Sequence, residues 1–276
     1  MLEKNIFTIL SELEGTIGLY FEDLNTGKKI SINSDITFSA ASTIKIPLVS
    51  LLLRQSEEGL INLNDIVEMD KVNRVGGSGV IKELDRNYKP TVMDLAKLTI
   101  ILSDNAATNQ LIDLVGGPDN VNEFCKELGL KDTLLQRKMM DTKSLEMGRD
   151  NFTTPNDMGK ILKLLANGQM YSKEASKTLV DIMKAQQLNQ KLPYLIPALE
   201  PDDPEIFNDE VKEGTVVVAH KTGELYKTQH DVGIFYLPNN RKYILAIYTT
   251  NLNSDNDGVK IIANLSKAVY DYMKEA

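Results

Sequence analysis

Residues 215–250 read TVVVAHKTGELYKTQHDVGIFYLPNNRKYILAIYTT. Three runs dense in β-branched and aromatic side chains predict strands over Thr215–His220, Asp231–Leu237 and Lys242–Thr250, and Pro238-Asn239-Asn240 turns the last two. Two more strands are predicted near the other end of the chain, Thr16–Leu24 and Lys28–Asn33. Asn25-Thr26-Gly27, a hairpin signal, joins them.

Between these ends the period changes. From Ser42 to about Val180 the apolar residues recur at helical spacing. A long helix carries Ile46, Leu48, Val49, Leu51, Leu52 and Leu53 and stops at Gly59. Further helices are predicted over Val92–Leu102, Ala106–Leu114, Asp119–Leu128, Pro155–Ala166 and Lys173–Lys184, with a break at Gly116-Gly117-Pro118. Ile6, Ile9, Leu10 and Leu13 give a leading helix, and Gly258–Met273 a closing one. Leu192–Glu213, rich in proline and acid, is expected to be an exposed connection. The expected fold is therefore α/β, an α+β sandwich. One five-stranded antiparallel sheet is built from both chain ends and flanked by the terminal helices, with a large all-helical insertion. The expected division is 1–38 plus 207–276 for the sheet domain and 39–206 for the helical domain, with the active site in the groove between them.

Composition excludes several classes. The 276 residues carry 31 basic and 39 acidic side chains, a net charge of −8, which argues against a partner whose phosphates need neutralising. Hydrophobic content of 42% is that of a globular chain. One cysteine, Cys125, cannot form an internal disulfide and reads as a small buried hydrophobe. Two histidines, His220 and His230, belong to no metal-binding pattern. No apolar run approaches the ~20 residues that span a bilayer, and Glu3, Glu12 and Glu14 interrupt any signal peptide. The chain as written is expected in the cytoplasm; with a leader removed it would be periplasmic or secreted.

Three short motifs carry chemistry. Ser42-Thr43-Ile44-Lys45 opens the long helix. A serine and a lysine three apart share a helix face, and a neutral lysine can take the proton of a weak hydroxyl nucleophile. Free N–H groups at a helix start suit an oxyanion, and Pro47 fits an early turn. Ser103-Asp104-Asn105 lies between two predicted helices; the same tripeptide at Ser254-Asp255-Asn256 reads as a helix cap. Lys221-Thr222-Gly223 is expected at the end of the Thr215–His220 strand, with a cation to meet a carboxylate and a glycine that lets a ligand backbone approach. Each motif taken singly has an ordinary reading, as a solvated helix face, a loop or a strand end.

In this order the three resemble the signature of class A β-lactamases and penicillin-binding serine hydrolases, across nearly the whole chain. The resemblance implies that Ser42 is acylated, Lys45 accepts or relays its proton, and Ser103 shuttles a proton to the leaving nitrogen. Asn105 would hold the substrate's side-chain amide. Lys221, Thr222 and Gly223 would form the carboxylate-binding strand, and the N–H groups of Ser42 and Glu224 the oxyanion hole. Asp104 would be structural. It implies no cofactor and no metal, a small amide or ester substrate, and a monomer.

The chain departs from that pattern twice. Arg137 and Asp150 look like the pair that closes the class A loop, yet Met139 stands where its deacylating glutamate belongs and Lys143 where its asparagine belongs. A thioether cannot act as a base. Asp141 and Glu146 are the nearby carboxylates. The arginine often found on the next strand is also missing; Lys227 and His230 occupy that stretch. The expectation is a β-lactam hydrolase with intact acylation and impaired deacylation. The rivals are an esterase or D-amino-acid peptidase on the same fold, and a penicillin-sensing domain that stays acylated. Gly76-Gly77-Ser78-Gly79 lacks the lysine of a phosphate loop and reads as a flexible lip of the cleft.

Overall fold

The computed structural model describes residues 2–11, 13–208 and 210–275. Strands β1 (Thr16–Asp23), β2 (Lys29–Ile32), β5 (Val217–Leu225), β6 (Thr228–Leu237) and β7 (Arg241–Thr250) form one sheet in the order β2-β1-β7-β6-β5, every pair antiparallel. The two chain ends thus meet in the middle of the sheet, where β1 pairs with β7 from Thr16 opposite Thr250 to Asp23 opposite Tyr243.

Side chains of these strands alternate between two cores, as a period of two requires. Tyr20, Ala219, Val232, Ile234, Ile244, Ala246 and Tyr248 face the helical block. Leu19, Phe21, Val218, Phe235, Leu245 and Ile247 face the terminal helices α1 (Leu2–Leu10) and α9 (Asp255–Glu275). Both faces are covered, so β6 and β7 carry apolar residues on both rather than polar residues on one.

The helical block contains α2 (Lys45–Glu57), α3 (Val92–Ile101), α4 (Asn105–Leu114), α5 (Pro118–Glu127), α6 (Thr142–Glu146), α7 (Pro155–Ala166) and α8 (Lys173–Lys184). Every residue of α2 from Lys45 to Leu53 is buried. A helix apolar on all sides belongs in the centre of a block, and α2 sits there. Ser42 lies in the 3₁₀ turn Ala41–Ile44 that runs into it, three residues before the helix start.

The structure corrects three expectations. Lys221-Thr222-Gly223 lies inside β5, not at its end, because the ladder to β6 continues from Lys221 opposite Val232 to Leu225 opposite Thr228, and a tight turn at Tyr226-Lys227 follows. The connection after Leu192 is not all exposed: Leu192 and Ile196 pack into the core under the terminal helices, and Ile206 is buried. A second, two-stranded sheet went unforeseen, β3 (Phe38–Ser39) paired with β4 (Phe152–Thr153). Two-residue strands carry no periodicity to read. The second Ser-Asp-Asn does cap a helix: Ser254 Oγ donates to Asp257 Oδ2 at 2.8 Å and accepts from the Asp257 N–H at 3.3 Å. No described helix is long and apolar enough to cross a membrane.

Helix α7 rests on β1 at Gly159. A Cβ there would come within 2.4 Å of the Tyr20 ring. That ring cannot swing away, since it is buried and its hydroxyl donates to Glu22 Oε2 at 2.6 Å. In an open helix Gly→Ala stabilises by roughly 0.5–1 kcal/mol, whereas overpacking costs roughly 1–3 kcal/mol. The clash wins. Gly159→Ala is expected to lower unfolding free energy by about 1–2 kcal/mol in urea titrations; an unchanged or raised midpoint would contradict this packing.

Candidate active site

The Lys45 side chain is fully buried. Its Nζ donates to Ser103 O at 2.7 Å, Ser103 Oγ at 3.1 Å and Asn105 Oδ1 at 2.9 Å. All three partners are uncharged oxygens. Burial therefore holds the Lys45 pKa well below the ordinary lysine value; Lys221 nearby pushes it the same way, and Asp104 opposes. The charged form of this amine is therefore disfavoured, three residues after Ser42.

Asp104 makes this arrangement rigid. As N-cap of α4 it accepts from the Ala107 N–H at 2.9 Å, and its other oxygen takes the Val80 and Ile81 N–H groups at 2.7 and 2.9 Å. The Asn105 N–H donates to Ser78 O at 3.0 Å and its Nδ2 to Gly76 O at 3.2 Å. The glycine lip is therefore tied down, not flexible. Its glycines allow close approach, since a Cβ on Gly79 would fall 2.2 Å from the Asp104 carboxyl and one on Gly77 2.5 Å from Asn105 Nδ2. Three non-glycine residues here hold positive φ, Ala41 at 45°, Ser103 at 53° and Met140 at 63°. Backbone strain of this kind costs roughly 1–3 kcal/mol per residue and clusters at functional sites.

A groove of about 270 Å³ opens above these groups. Ser42, Asn105, Met139, Met140, Glu224 and Leu225 line it. Lys45, Ser103, Lys221 and Gly223 are buried outside the lining itself. A larger groove, about 1050 Å³, runs between α1 and α9, but no acyl-transfer constellation converges there. Chemistry, not volume, selects the smaller one. Lys221 donates to Thr222 O at 2.9 Å and Thr222 is buried beside it. Burial lowers the Lys221 pKa to about 7; Asp231 opposes and Lys191 assists. A Cβ on Gly223 would lie 3.2–3.3 Å from Thr43 and Ala41, so β5 presses directly on the turn that carries Ser42.

The loop below the groove is closed as expected. Arg137 Nη2 and Nε reach Asp150 Oδ1 at 2.7 and 2.8 Å, and Ser39 Oγ donates to Asp150 Oδ2 at 2.6 Å. The β3–β4 pair and the bond from the Ala40 N–H to Asn151 O at 2.7 Å join this loop to the segment that enters Ser42.

The sequence model of the Beta-lactamase enzyme family matches residues 1–273. The chain belongs to that family. An imipenem-hydrolyzing beta-lactamase of Enterobacter cloacae is 29% identical over 276 residues, spanning 98% of this chain and 88% of that protein. A beta-lactamase structure from Sphaerobacter thermophilus aligns at TM-score 0.86 with 29% identity, covering 100% of this chain and 97% of the other. PBP-A aligns at TM-score 0.86 with 28% identity, covering 100% and 96%.

The loop places no carboxylate at position 139. Met139 faces the groove with its peptide clamped: its N–H donates to Asn109 Oδ1 at 2.7 Å, and its carbonyl accepts from Asn109 Nδ2 at 3.1 Å. Asp141 caps α6, taking the Ser144 N–H and Oγ at 3.0 and 2.7 Å, and neither it nor the exposed Glu146 lines the groove. Lys143 is exposed. His230 is no ligand for a substrate carboxylate. Its ring nitrogens lie 2.8 Å from Gln229 O and 2.9 Å from Ser39 O, and burial lowers its pKa to about 4, leaving it neutral. Lys227 sits at the hairpin tip over the Tyr226 ring. The cation sequence reasoning missed is Lys191, buried, with its Nζ 2.8 Å from Glu224 Oε1. A lysine among glutamines and prolines carries no signal of its destination.

The lysines set a pH dependence. Lys221 releases its proton near pH 7 when folded and near 10.5 when unfolded, and Lys45 shifts in the same direction. Between those values the unfolded chain binds more protons, so stability rises with pH. Urea midpoints should climb over that window, and Lys221→Met should flatten the climb. A wild-type midpoint that fell would contradict the buried placement.

Proposed function

We propose that the chain is a serine acyl-transfer hydrolase that opens β-lactam amides and releases the product slowly. The observation that carries this reading is the buried Lys45 amine, held by neutral oxygens of Ser103 and Asn105 one turn from Ser42 in the groove. Lys45, once it has given up one of its three protons, takes the Ser42 proton as Oγ attacks the lactam carbonyl. The N–H groups of Ser42 and Glu224 receive the oxyanion. The ring C–N bond then breaks and Ser103 passes a proton, replaced from Lys45, to the leaving nitrogen. Asn105 holds the acyl side-chain amide, while Lys221 and Thr222, with Gly223 leaving room on β5, meet the substrate carboxylate. The groove divides the sheet unit, 1–38 plus 207–276, from the helical unit, 39–206. One copy of the chain supplies every group, with no metal or cofactor in any step.

The relatives support this reading through what their names state: one hydrolyses imipenem, and a PBP-A point variant, 26% identical at TM-score 0.86, carries an acyl-enzyme with penicillin G. A second reading, a long-lived acyl-enzyme, is favoured by Met139. The two carboxylates lining the groove are engaged, Asp150 with Arg137 and Glu224 with Lys191. Loss of a general base typically costs 10²–10⁴-fold in rate, which falls here on deacylation.

Time-resolved intact mass on mixing with benzylpenicillin, with the drug assayed in parallel, tests the scheme. A +penicillin adduct on Ser42 is expected, decaying slowly, and Ser42→Ala should show neither adduct nor hydrolysis. Full activity in Ser42→Ala would end every serine mechanism. Efficient turnover of small esters without any β-lactam adduct would favour the esterase. Met139→Glu is expected to shorten the adduct's lifetime by at least about tenfold; an unchanged lifetime would show that this position does not face the acyl group.

A further inference from the structure

We propose that Lys191 is a positioning residue for the oxyanion hole, acting through the Gly223–Glu224 peptide; the inference rests on the serine acyl-transfer reading above. The Lys191 ammonium is 2% exposed and has three acceptors for its three protons. They are Glu224 Oε1 at 2.8 Å, His230 O at 3.3 Å and Gly223 O at 3.4 Å. Gly223 and His230 stand opposite each other in the β5–β6 ladder, so the ammonium caps both carbonyls of one pair.

The Gly223 carbonyl belongs to the same planar unit as the Glu224 N–H. In a trans peptide the two point in opposite directions. The carbonyl points to Lys191 and the β6 side, so the N–H points to the free edge of β5, where Glu224 lines the groove. A cation on the oxygen polarises the unit and strengthens its N–H as a donor.

A plain ion pair does not account for this placement. Burying an ammonium is costly, and the Glu224 side chain that answers it is 53% exposed. Two backbone carbonyls complete the compensation. The loop is also built to hold Lys191 in place. The Leu192 N–H donates to buried Asp231 at 3.0 Å, Ser266 Oγ donates to Leu192 O at 2.6 Å, and Asn189 Oδ1 meets His220 Nε2 at 3.0 Å.

The test compares wild type, Lys191→Met and Lys191→Gln on reaction with benzylpenicillin. It reads the acylation rate, the non-covalent dissociation constant, and the infrared stretch of the acyl-enzyme ester carbonyl with a ¹³C label. Removing an oxyanion donor costs 10²–10³-fold, so weakening one is expected to slow acylation by about tenfold in Lys191→Met, with the dissociation constant unchanged. The ester band should move to higher frequency as the carbonyl is polarised less, with Lys191→Gln in between. Should Lys191→Met fail to fold, Lys191→Gln carries the comparison, judged by the same band. An unmoved band in a folded variant overturns the proposal, whether the rate is unchanged or reduced, because a structural staple alters rate or stability without touching the bound carbonyl. Wild type that forms no adduct on Ser42 would refute the serine reading itself, and that outcome is visible before any variant is made.

Discussion

A lysine amine kept away from water is the constraint around which this molecule is arranged. Lys45 is buried in the first turn of α2 and meets only neutral oxygens there. A charged ammonium in that place is costly, so the environment favours the neutral form. Holding it needs Ser103 and Asn105 at fixed positions, and those depend in turn on Asp104, which ties α4 to the glycine lip through Val80 and Ile81. The left-handed backbone at Ser103 and Ala41 follows from the same demand. Strain is tolerated because the surrounding bonds leave the chain no other path.

The opposite wall of the groove obeys a different rule. β5 is an edge strand, with one side in the ladder to β6 and the other toward the groove. Its groove side offers backbone groups without a strand partner, which suits recognition of an extended substrate. Two buried lysines bracket that strand, Lys221 from within it and Lys191 from the loop before it. Together with Lys45 they place three amines in one dry region, and burial first, then repulsion from a neighbouring lysine, lowers the proton affinity of Lys45 and Lys221. Carboxylates answer them in part: Asp104 acts on Lys45, Asp231 is shared with His220 and the Leu192 N–H, and Glu224 is half in solvent.

The loop from Arg137 to Asp150 separates backbone geometry from side-chain chemistry. The closing ion pair, its link to Ser39 and the clamp of Asn109 on the Met139 peptide are all present. Geometry at this position is thus set by the backbone, and the side chain is a separate choice. Methionine fills the place and brings no base to it.

Much was legible in the residues themselves. Helix α7 from Pro155 to Ala166 and α8 from Lys173 to Lys184 announce themselves by caps and a four-residue rhythm, as Thr154 and Ser172 cap them through Asp157 and Ala175. Ser42 with Lys45, Ser103 with Asn105, and Lys221 with Gly223 were readable because helix turns and strands impose their spacing locally. What lay outside the sequence was long-range: the short β3–β4 pair, the extension of β5 through Leu225, and the arrival of Lys191 beside Glu224. Local propensity determines which segments are helix or strand and which residues share a face. Which lysine is buried, which carboxylate is engaged and which peptide faces the groove depend on contacts between residues tens of positions apart, and only the packed tertiary structure decides those.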